Sequence, residues 1–200
     1  MVKLIQTLTS KPKKPQHLYT CNMNIVNIAI LVLHMKGLSK QEIKVIAELE
    51  FYQRYYFTKD GIRHHFGNPR EIRDFIYHLK KKGRIVRINR RKYYLVPIKA
   101  KSGKWSDNPF VIADEICDGK DYFIGGWAAA SYWHLTEQIP MRIDVYTTRR
   151  QGKARILNTN FVFHRTSRKM TAKAVTQKIG NNNFEIAPKS MMAEWMKSRK

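Results

Sequence analysis

Residues 68–96 read NPREIRDFIYHLKKKGRIVRINRRKYYLV, and this stretch decides the fold of the N-terminal half. Asn68 and Pro69 are typical of a helix start, where a side-chain oxygen caps the first turn and one N–H is dispensable. Apolar side chains then recur with the spacing of one buried helix face, at Ile72, Phe75, Ile76 and Leu79. Gly83 ends this helix, and two β-rich runs around the turn Asn89–Arg91 predict a hairpin.

The residues before position 68 predict leading helices and a basic arm. Ser39 and Glu42 have capping-box spacing, and the helix that follows is expected to bury Ile43, Ile46, Ala47 and Phe51. Thr58 is expected to cap a short helix that runs to Phe66. Residues 24–36 predict a further helix, whereas residues 1–22 contain four lysines without apolar periodicity and are interpreted as a flexible arm.

The charge of the chain favours a polyanionic partner. Its 200 residues include 38 Lys and Arg against 15 Asp and Glu, which gives a formal net charge of +23. Residues 68–92 alone contain ten basic and two acidic side chains. Hydrophobic residues make up 43% of the chain, so this charge belongs to a folded protein and not to a disordered polycation.

Residues 58–96 place a short helix, a turn, a second helix with a basic face and a basic hairpin in the order of a winged helix-turn-helix. In that fold the second helix enters the DNA major groove, and cations of the hairpin bind phosphate. Arg70 and Arg73 are the expected base contacts, assisted by Asn68 and Tyr77. The other predicted DNA-binding residues are the cations Lys80, Arg87, Arg90, Arg91 and Lys92. The alternative interpretation of these cations is a solvated surface.

Residues 105–200 predict a second unit, a small α/β domain that follows a loop without periodicity. Helix starts are expected at Asn108–Pro109 and at Pro188, and a buried helix at Trp127–Leu135. Five apolar runs predict strands, at Tyr122–Ile124, Ile143–Tyr146, Phe161–Phe163, Ala174–Ile179 and Phe184–Ala187. The fold class is therefore α+β, with predicted boundaries at residues 1–22 for the arm, 23–97 for the winged helix and 105–200 for the second domain.

The second unit contains no pattern that predicts an enzyme. Its carboxylates could hold magnesium for a nuclease, but their spacing around a helix fits a polar face better: Asp107, Asp114, Glu115, Asp118 and Asp121. Ser131 and His134 lack an oxyanion-hole motif, and Gly125–Gly126 lacks the lysine of a phosphate loop. We interpret the glycine pair as a strand-to-helix turn.

Neither a metal site nor a cofactor is predicted. Cys21 and Cys117 lie 96 positions apart without nearby His ligands, which also argues against a disulfide scaffold. The apolar run at residues 25–35 falls short of the roughly 20 residues that a membrane span needs, so no membrane association is predicted. The expected location is the cytoplasm.

Several motifs together resemble the AbiEi antitoxins of AbiE abortive-infection systems. One of them is Tyr122–Ala130, which reads YFIGGWAAA, followed by HLTEQ at His134–Gln138. Four further stretches agree, at Gly83–Ile88, Tyr93–Pro97, Arg142–Tyr146 and Phe161–Arg165. The resemblance covers roughly residues 58–195. It implies a type IV toxin-antitoxin regulator that represses its own operon at inverted repeats and counters a nucleotidyltransferase-like toxin.

The sequence therefore predicts a non-enzymatic regulator that binds double-stranded DNA, with an antitoxin role as the second expectation. Three alternatives remain open: a winged-helix transcription factor without antitoxin activity, an RNA-binding protein and a metal-dependent nuclease. Tyr93 and Tyr94 are the aromatic pair that could stack on RNA bases. In a hairpin strand, alternation directs one of the two towards the core.

Overall fold

The computed structural model of the chain describes residues 37–100 and 107–199, which form helices and two β-sheets. This mixed architecture confirms the broad α+β prediction. The predicted arm at residues 1–22 and the predicted helix at residues 24–36 lie outside the described residues. Among the described residues, no helix is long and apolar enough to cross a membrane.

The first described helix, α1, spans Lys40–Phe51 and begins with the predicted capping box. Ser39 Oγ accepts from the Glu42 N–H at 3.2 Å, and Glu42 Oε2 accepts from the Ser39 N–H at 2.6 Å. The predicted buried stripe is wrong at Ala47 and at Phe51, which is 80% exposed. The buried face of the helix is instead formed by Val45, Ile46 and Leu49, which pack in the N-terminal core.

The residues that follow α1 build the rest of the N-terminal unit. Its remaining elements are β1 (Tyr56–Thr58), a 3₁₀ helix (Asp60–His65), α2 (Pro69–Lys81), β2 (Ile85–Arg87) and β3 (Lys92–Leu95). The short helix is a 3₁₀ helix that ends before Phe66, and its N-cap residue is Lys59. The predicted cap, Thr58, lies one residue earlier, where its Oγ1 accepts from the Gly61 N–H at 3.2 Å. The helix at Asn68–Pro69 and the hairpin are confirmed.

The small sheet has the order β1-β3-β2, and both pairings are antiparallel. Its central strand, β3, is buried on both faces. Tyr93 stacks on Phe57 in the N-terminal core, whereas Tyr94 packs against Tyr56 in a second core that belongs mainly to the C-terminal half. The hairpin and β1 thus both contact the C-terminal half.

The C-terminal sheet has the order β6-β7-β5-β4-β9-β8. Its strands are β4 (Tyr122–Gly125), β5 (Ile143–Thr147), β6 (Gly152–Ile156), β7 (Thr159–Arg165), β8 (Val175–Ile179) and β9 (Asn182–Ile186). Its helices are α3 (Pro109–Cys117), α4 (Gly126–Tyr132), α5 (Arg168–Thr171) and α6 (Lys189–Lys197). All five predicted strands are confirmed, as are the helix starts at Pro109 and after Pro188, and β6 and α5 are additions.

The glycine pair lies at the turn from β4 into α4, as expected. Gly126 has φ +61°, a backbone conformation that disfavours residues with a Cβ. It also lies against Asp144, a buried side chain on β5 that bonds His164 Nε2 at 2.8 Å. Gly125 meets the ring of Tyr146, which stacks on Phe123. The glycines therefore allow α4 to pack closely on the sheet.

Glu42 gives the N-terminal unit a defined pH dependence. Burial alone would raise its pKa, but hydrogen bonds from Lys82 and from the Ser39 backbone lower the pKa below its ordinary value of 4.5. A carboxylate with a depressed pKa contributes stability that is fully present above its unfolded-state pKa and disappears as pH falls through the folded-state pKa.

We therefore expect Glu42→Gln to lower the free energy of unfolding by about 1 kcal/mol at pH 7, through the lost ion pair with Lys82, since glutamine can still accept from the Ser39 N–H. The difference from the wild type should shrink progressively below pH 4.5. Urea unfolding over pH 3–7 measures it, with Glu137→Gln as a control for the loss of an exposed negative charge. A difference that does not change with pH would contradict the assignment.

Candidate nucleic-acid interface

The exposed face of α2 carries the predicted base contacts. Arg70, Arg73, Tyr77 and Lys80 are all exposed, and Tyr77 remains 63% accessible. These positions recur at intervals of three and four, so they share one side of the helix. The opposite side, at Ile72, Phe75, Ile76 and Leu79, is buried in the N-terminal core. The helix thus presents a row of cations and one aromatic ring.

Asn68 is held in the cap of α2. Its Oδ1 accepts from the N–H groups of Arg70 and Glu71, both at 3.0 Å, and its Nδ2 donates to Glu71 Oε1 at 2.7 Å. These bonds occupy the amide oxygen that a DNA contact would otherwise use. Asn68 therefore caps the start of the helix, and the basic side chains lie at later positions of the helix.

A crevice between the 3₁₀ helix and α2 adds two cations to this surface. The crevice has a volume of about 230 Å³ and is lined by Arg73 together with Lys59, Asp60, Arg63, Pro69 and Ile72. The acidic residues of α2 lie elsewhere: Glu71 and Asp74 line a separate groove with Glu42, His78 and Lys82. Arg73 therefore has cationic neighbours, Lys59 and Arg63, which the sequence pattern did not single out.

The turn of the hairpin is ordered by two of its own side chains. Arg87 donates from Nε to the Asn89 carbonyl at 2.9 Å and from Nη2 to the Arg90 carbonyl at 3.2 Å. Asn89 Oδ1 accepts from the N–H groups of Arg91 and Lys92. These bonds close the turn, so the exposed side chains of Arg90 and Arg91 start from a fixed backbone.

The same turn is attached to the end of α3. Asn89 Nδ2 donates to the carbonyls of Glu115 and Ile116 and to Asp118 Oδ1, which satisfies acceptors left open at a helix C-terminus. Lys92 Nζ lies 2.6 Å from Glu115 Oε2 and 3.2 Å from Asp118 Oδ1. Burial alone would lower the pKa of Lys92, but these two carboxylates raise it, so the ammonium stays charged. Lys92 is a predicted phosphate contact, but in the structure its ion pairs join the hairpin to α3.

A cleft opens between the hairpin turn and the C-terminal sheet. Its volume is about 770 Å³, and five of its eleven lining residues are arginines: Arg87, Arg90, Arg91, Arg149 and Arg150. We call these five residues the arginine cleft. The carboxylate among the lining residues, Asp118, already accepts from Asn89 and Lys92. The cleft is therefore strongly cationic.

Arg149 and Arg150, which follow β5, were not among the predicted site residues. Arg149 bonds Asp121 Oδ2 at 2.9 Å and the Cys117 carbonyl at 3.1 Å, and Arg150 lies 3.9 Å from the centre of the Phe163 ring. Among the described residues, Arg90 and Arg91 have no carboxylate partner. An arginine pair at the end of a strand can be seen in the sequence, but its position beside the hairpin turn depends on the fold.

Two features that supported other functions have local structural roles. Tyr93 and Tyr94 are 7% and 1% exposed, so neither ring is available to stack on an RNA base. Each carboxylate of the proposed nuclease cluster bonds a protein group. The pairs are Asp107 with Tyr56, Asp114 with Tyr122, Glu115 with Lys92, Asp118 with Asn89, and Asp121 with Arg149. This pattern fits the polar-face interpretation.

Neither a protein-family model nor a curated protein matches this chain. The AbiEi resemblance stays a prediction that rests on the quoted motifs. Eight of the nine residues in Tyr122–Ala130 are buried and Trp127 is half-buried, whereas His134, Glu137 and Gln138 of the HLTEQ stretch are exposed. The YFIGGWAAA stretch therefore belongs to the C-terminal core, and HLTEQ lies at its surface.

Proposed function

We propose that the chain is a sequence-specific regulator that binds double-stranded DNA in the cytoplasm through a winged helix-turn-helix in its N-terminal half. The observation that carries this proposal is the exposed row of Arg70, Arg73, Tyr77 and Lys80 on a helix whose other side is buried. The acidic residues of α2, Glu71 and Asp74, line a separate groove, and Asp60 is the one carboxylate that lines the crevice beside Arg73.

In this proposal α2 enters the major groove with its N-terminal end first. An α-helix fits that groove, and arginine can bond the O6 and N7 atoms of guanine with two N–H groups. Arg70 and Arg73 lie in the first two turns of α2, where side chains reach base edges in this type of fold. Lys59 and Arg63, beside Arg73, would bind the flanking phosphates.

The arginine cleft supplies the second contact in this proposal. The ordered hairpin turn holds Arg90 and Arg91 next to Arg149 and Arg150, so one DNA backbone could meet cations of both halves. Arginine suits phosphate because its planar guanidinium offers paired N–H donors. The C-terminal half would then contribute directly to affinity, in addition to the winged helix.

The regulatory role follows from sequence-specific binding, and repression of its own operon is the form that the AbiEi resemblance implies. The antitoxin role is a separate prediction of that resemblance, and part of the motif that carries it, HLTEQ at His134–Gln138, is mostly exposed. Co-expression with a neighbouring nucleotidyltransferase-like toxin would test the antitoxin role independently of DNA binding.

Arg73→Ala should reduce affinity for the preferred DNA site by roughly 1 to 3 kcal/mol, the usual value of a bidentate base contact. The preferred site can be determined by selecting bound duplexes from a random pool with the wild-type chain. Repeating the selection with the variant should remove the preference at one base pair and leave the others.

Lys40→Ala is the matched control, because it removes one exposed positive charge from α1. It should lower affinity slightly on all duplexes and leave the selected sequence unchanged. If Arg73→Ala lowers affinity equally on every duplex, Arg73 contacts phosphate, and its assignment as a base contact is wrong.

A further inference from the structure

Glu48, His64 and His65 bring three potential metal ligands together on the surface of the N-terminal unit. Glu48 Oε1 lies 3.0 Å from His64 Nε2, and its other oxygen, Oε2, lies 3.1 Å from His65 Nε2. All three ligand atoms lie within 4.8 Å of one another. Among the described residues, no other group of three histidine, cysteine or carboxylate side chains is as compact.

The backbone around the cluster is fixed by secondary structure. Glu48 lies on the last turns of α1, and the two histidines end the 3₁₀ helix. Gln41, also on α1, donates from Nε2 to the His65 carbonyl at 2.7 Å, which holds the end of the 3₁₀ helix against α1. The imidazole rings lie 4.1 Å apart. Three ligands on two attached elements form a largely preorganised site.

The distances suit a small transition-metal ion. Zinc binds histidine nitrogen and carboxylate oxygen at about 2.0 to 2.2 Å, so neighbouring ligands in a tetrahedral site lie roughly 3.3 Å apart. The two separations in the structure, 3.0 and 3.1 Å, are hydrogen-bond lengths to different oxygens of Glu48 and lie just below that value. Two nitrogens and one oxygen are also a donor set that favours zinc and its neighbours over magnesium or calcium.

We propose that Glu48, His64 and His65 form a Zn²⁺ site with a fourth position open to water. The His65 side chain is 5% exposed and forms the inner wall, whereas the His64 side chain is 56% exposed and leaves one side open to solvent.

A bound ion would connect α1 to the segment that leads into α2. A ligand that binds only the folded state multiplies the folding equilibrium constant by about 100 when its free concentration is 100 times its Kd. For a chain of this size the melting temperature should rise by roughly 5 to 10 °C. This stabilisation does not depend on DNA binding, so it can be tested even if the proposed function fails.

The test is calorimetric titration of the metal-stripped full-length chain with Zn²⁺, in a Cys21→Ser background that removes one of the two cysteine thiols. We expect one equivalent of Zn²⁺ to bind, no binding of Mg²⁺, and the stated rise in melting temperature. Glu48→Gln and His64→Gln should each weaken binding at least about tenfold, since each removes a ligand. Both side chains are sufficiently exposed for the variants to fold, which circular dichroism will verify.

His78→Gln is the matched control, because His78 is an exposed histidine on α2 outside the cluster. It should bind Zn²⁺ as the parent does. The proposal is overturned if the Kd of the parent for Zn²⁺ exceeds about 100 µM, because the binding free energy is then weak. It is equally overturned if Glu48→Gln and His64→Gln bind as tightly as the parent.

Discussion

Replacing Arg90 and Arg91 together with alanine should weaken binding to every DNA duplex by about 30-fold at 0.15 M salt. Each phosphate contact contributes about −0.9 to the slope of log K against log salt, so two lost contacts should reduce its magnitude by about 1.8. Both side chains are exposed on the ordered hairpin turn at the arginine cleft. Fluorescence anisotropy with a labelled duplex, repeated from 0.05 to 0.5 M salt, measures both quantities.

The matched control is Lys169→Ala with Lys173→Ala, which removes the same charge from exposed positions at and just after α5. A general electrostatic effect would weaken binding equally in both double variants. The account requires a clear difference in the salt slope between them. If the two slopes agree, the arginine cleft is not part of the DNA interface.

Gly126→Ala should lower the free energy of unfolding by about 3 kcal/mol. Alanine at positive φ costs roughly 1 to 2 kcal/mol, and overpacking in a core costs roughly 1 to 3 more. A Cβ at this position would lie 2.9 Å from Asp144 Oδ2 and 3.2 Å from Asp144 Cβ. Urea unfolding measures the loss, and the melting temperature should fall by roughly 6 to 12 °C.

Gly180→Ala provides the control for this variant. Gly180 has nearly the same φ, +58°, but a Cβ there would meet nothing within 4 Å. Its cost should be the backbone part alone, about 1 to 2 kcal/mol. In Gly126→Ala with Asp144→Ala, the double variant should lose less stability than the two single variants added together. Equal costs at Gly126 and Gly180 would refute the close contact with Asp144.

The elements that could be predicted from the sequence are those with local signals. Ser39 with Glu42, Asn68–Pro69 and Asn108–Pro109 start helices because the capping bonds join residues only two or three positions apart. The strands of the C-terminal sheet are predicted from short apolar runs, which are also local signals. Gly125–Gly126 was recognised as a turn, although its tight fit against Tyr146 and Asp144 depends on the neighbouring strand.

The missed elements depend on distant partners. β1 has only three residues and is a strand because it pairs with β3, more than thirty positions later. β6 is a mostly exposed edge strand without the apolar alternation that usually identifies one. The buried face of α1 was misplaced by one residue, since the choice between Ile43 and Val45 is made by tertiary packing.

The candidate sites likewise divide into those that local sequence spacing predicts and those that depend on distant contacts. Arg70, Arg73, Tyr77 and Lys80 could be selected because helical spacing alone assigns them to one face. The arginine cleft could not, because the sheet brings Arg149 and Arg150 to a hairpin turn some sixty residues earlier. Glu48 likewise lies 16 positions before His64, a separation without the short spacing that usually identifies a metal site.

The central claim is sequence-specific binding to double-stranded DNA, and one competition measurement tests it most directly. The full-length chain is titrated with its own upstream duplex, a scrambled duplex of equal length and the matching RNA duplex, each over a range of salt concentrations. The account predicts at least about a thousandfold preference for one DNA sequence at physiological salt, with a steep salt slope. Equal affinity for all three nucleic acids would show a general polycation and would contradict the claim.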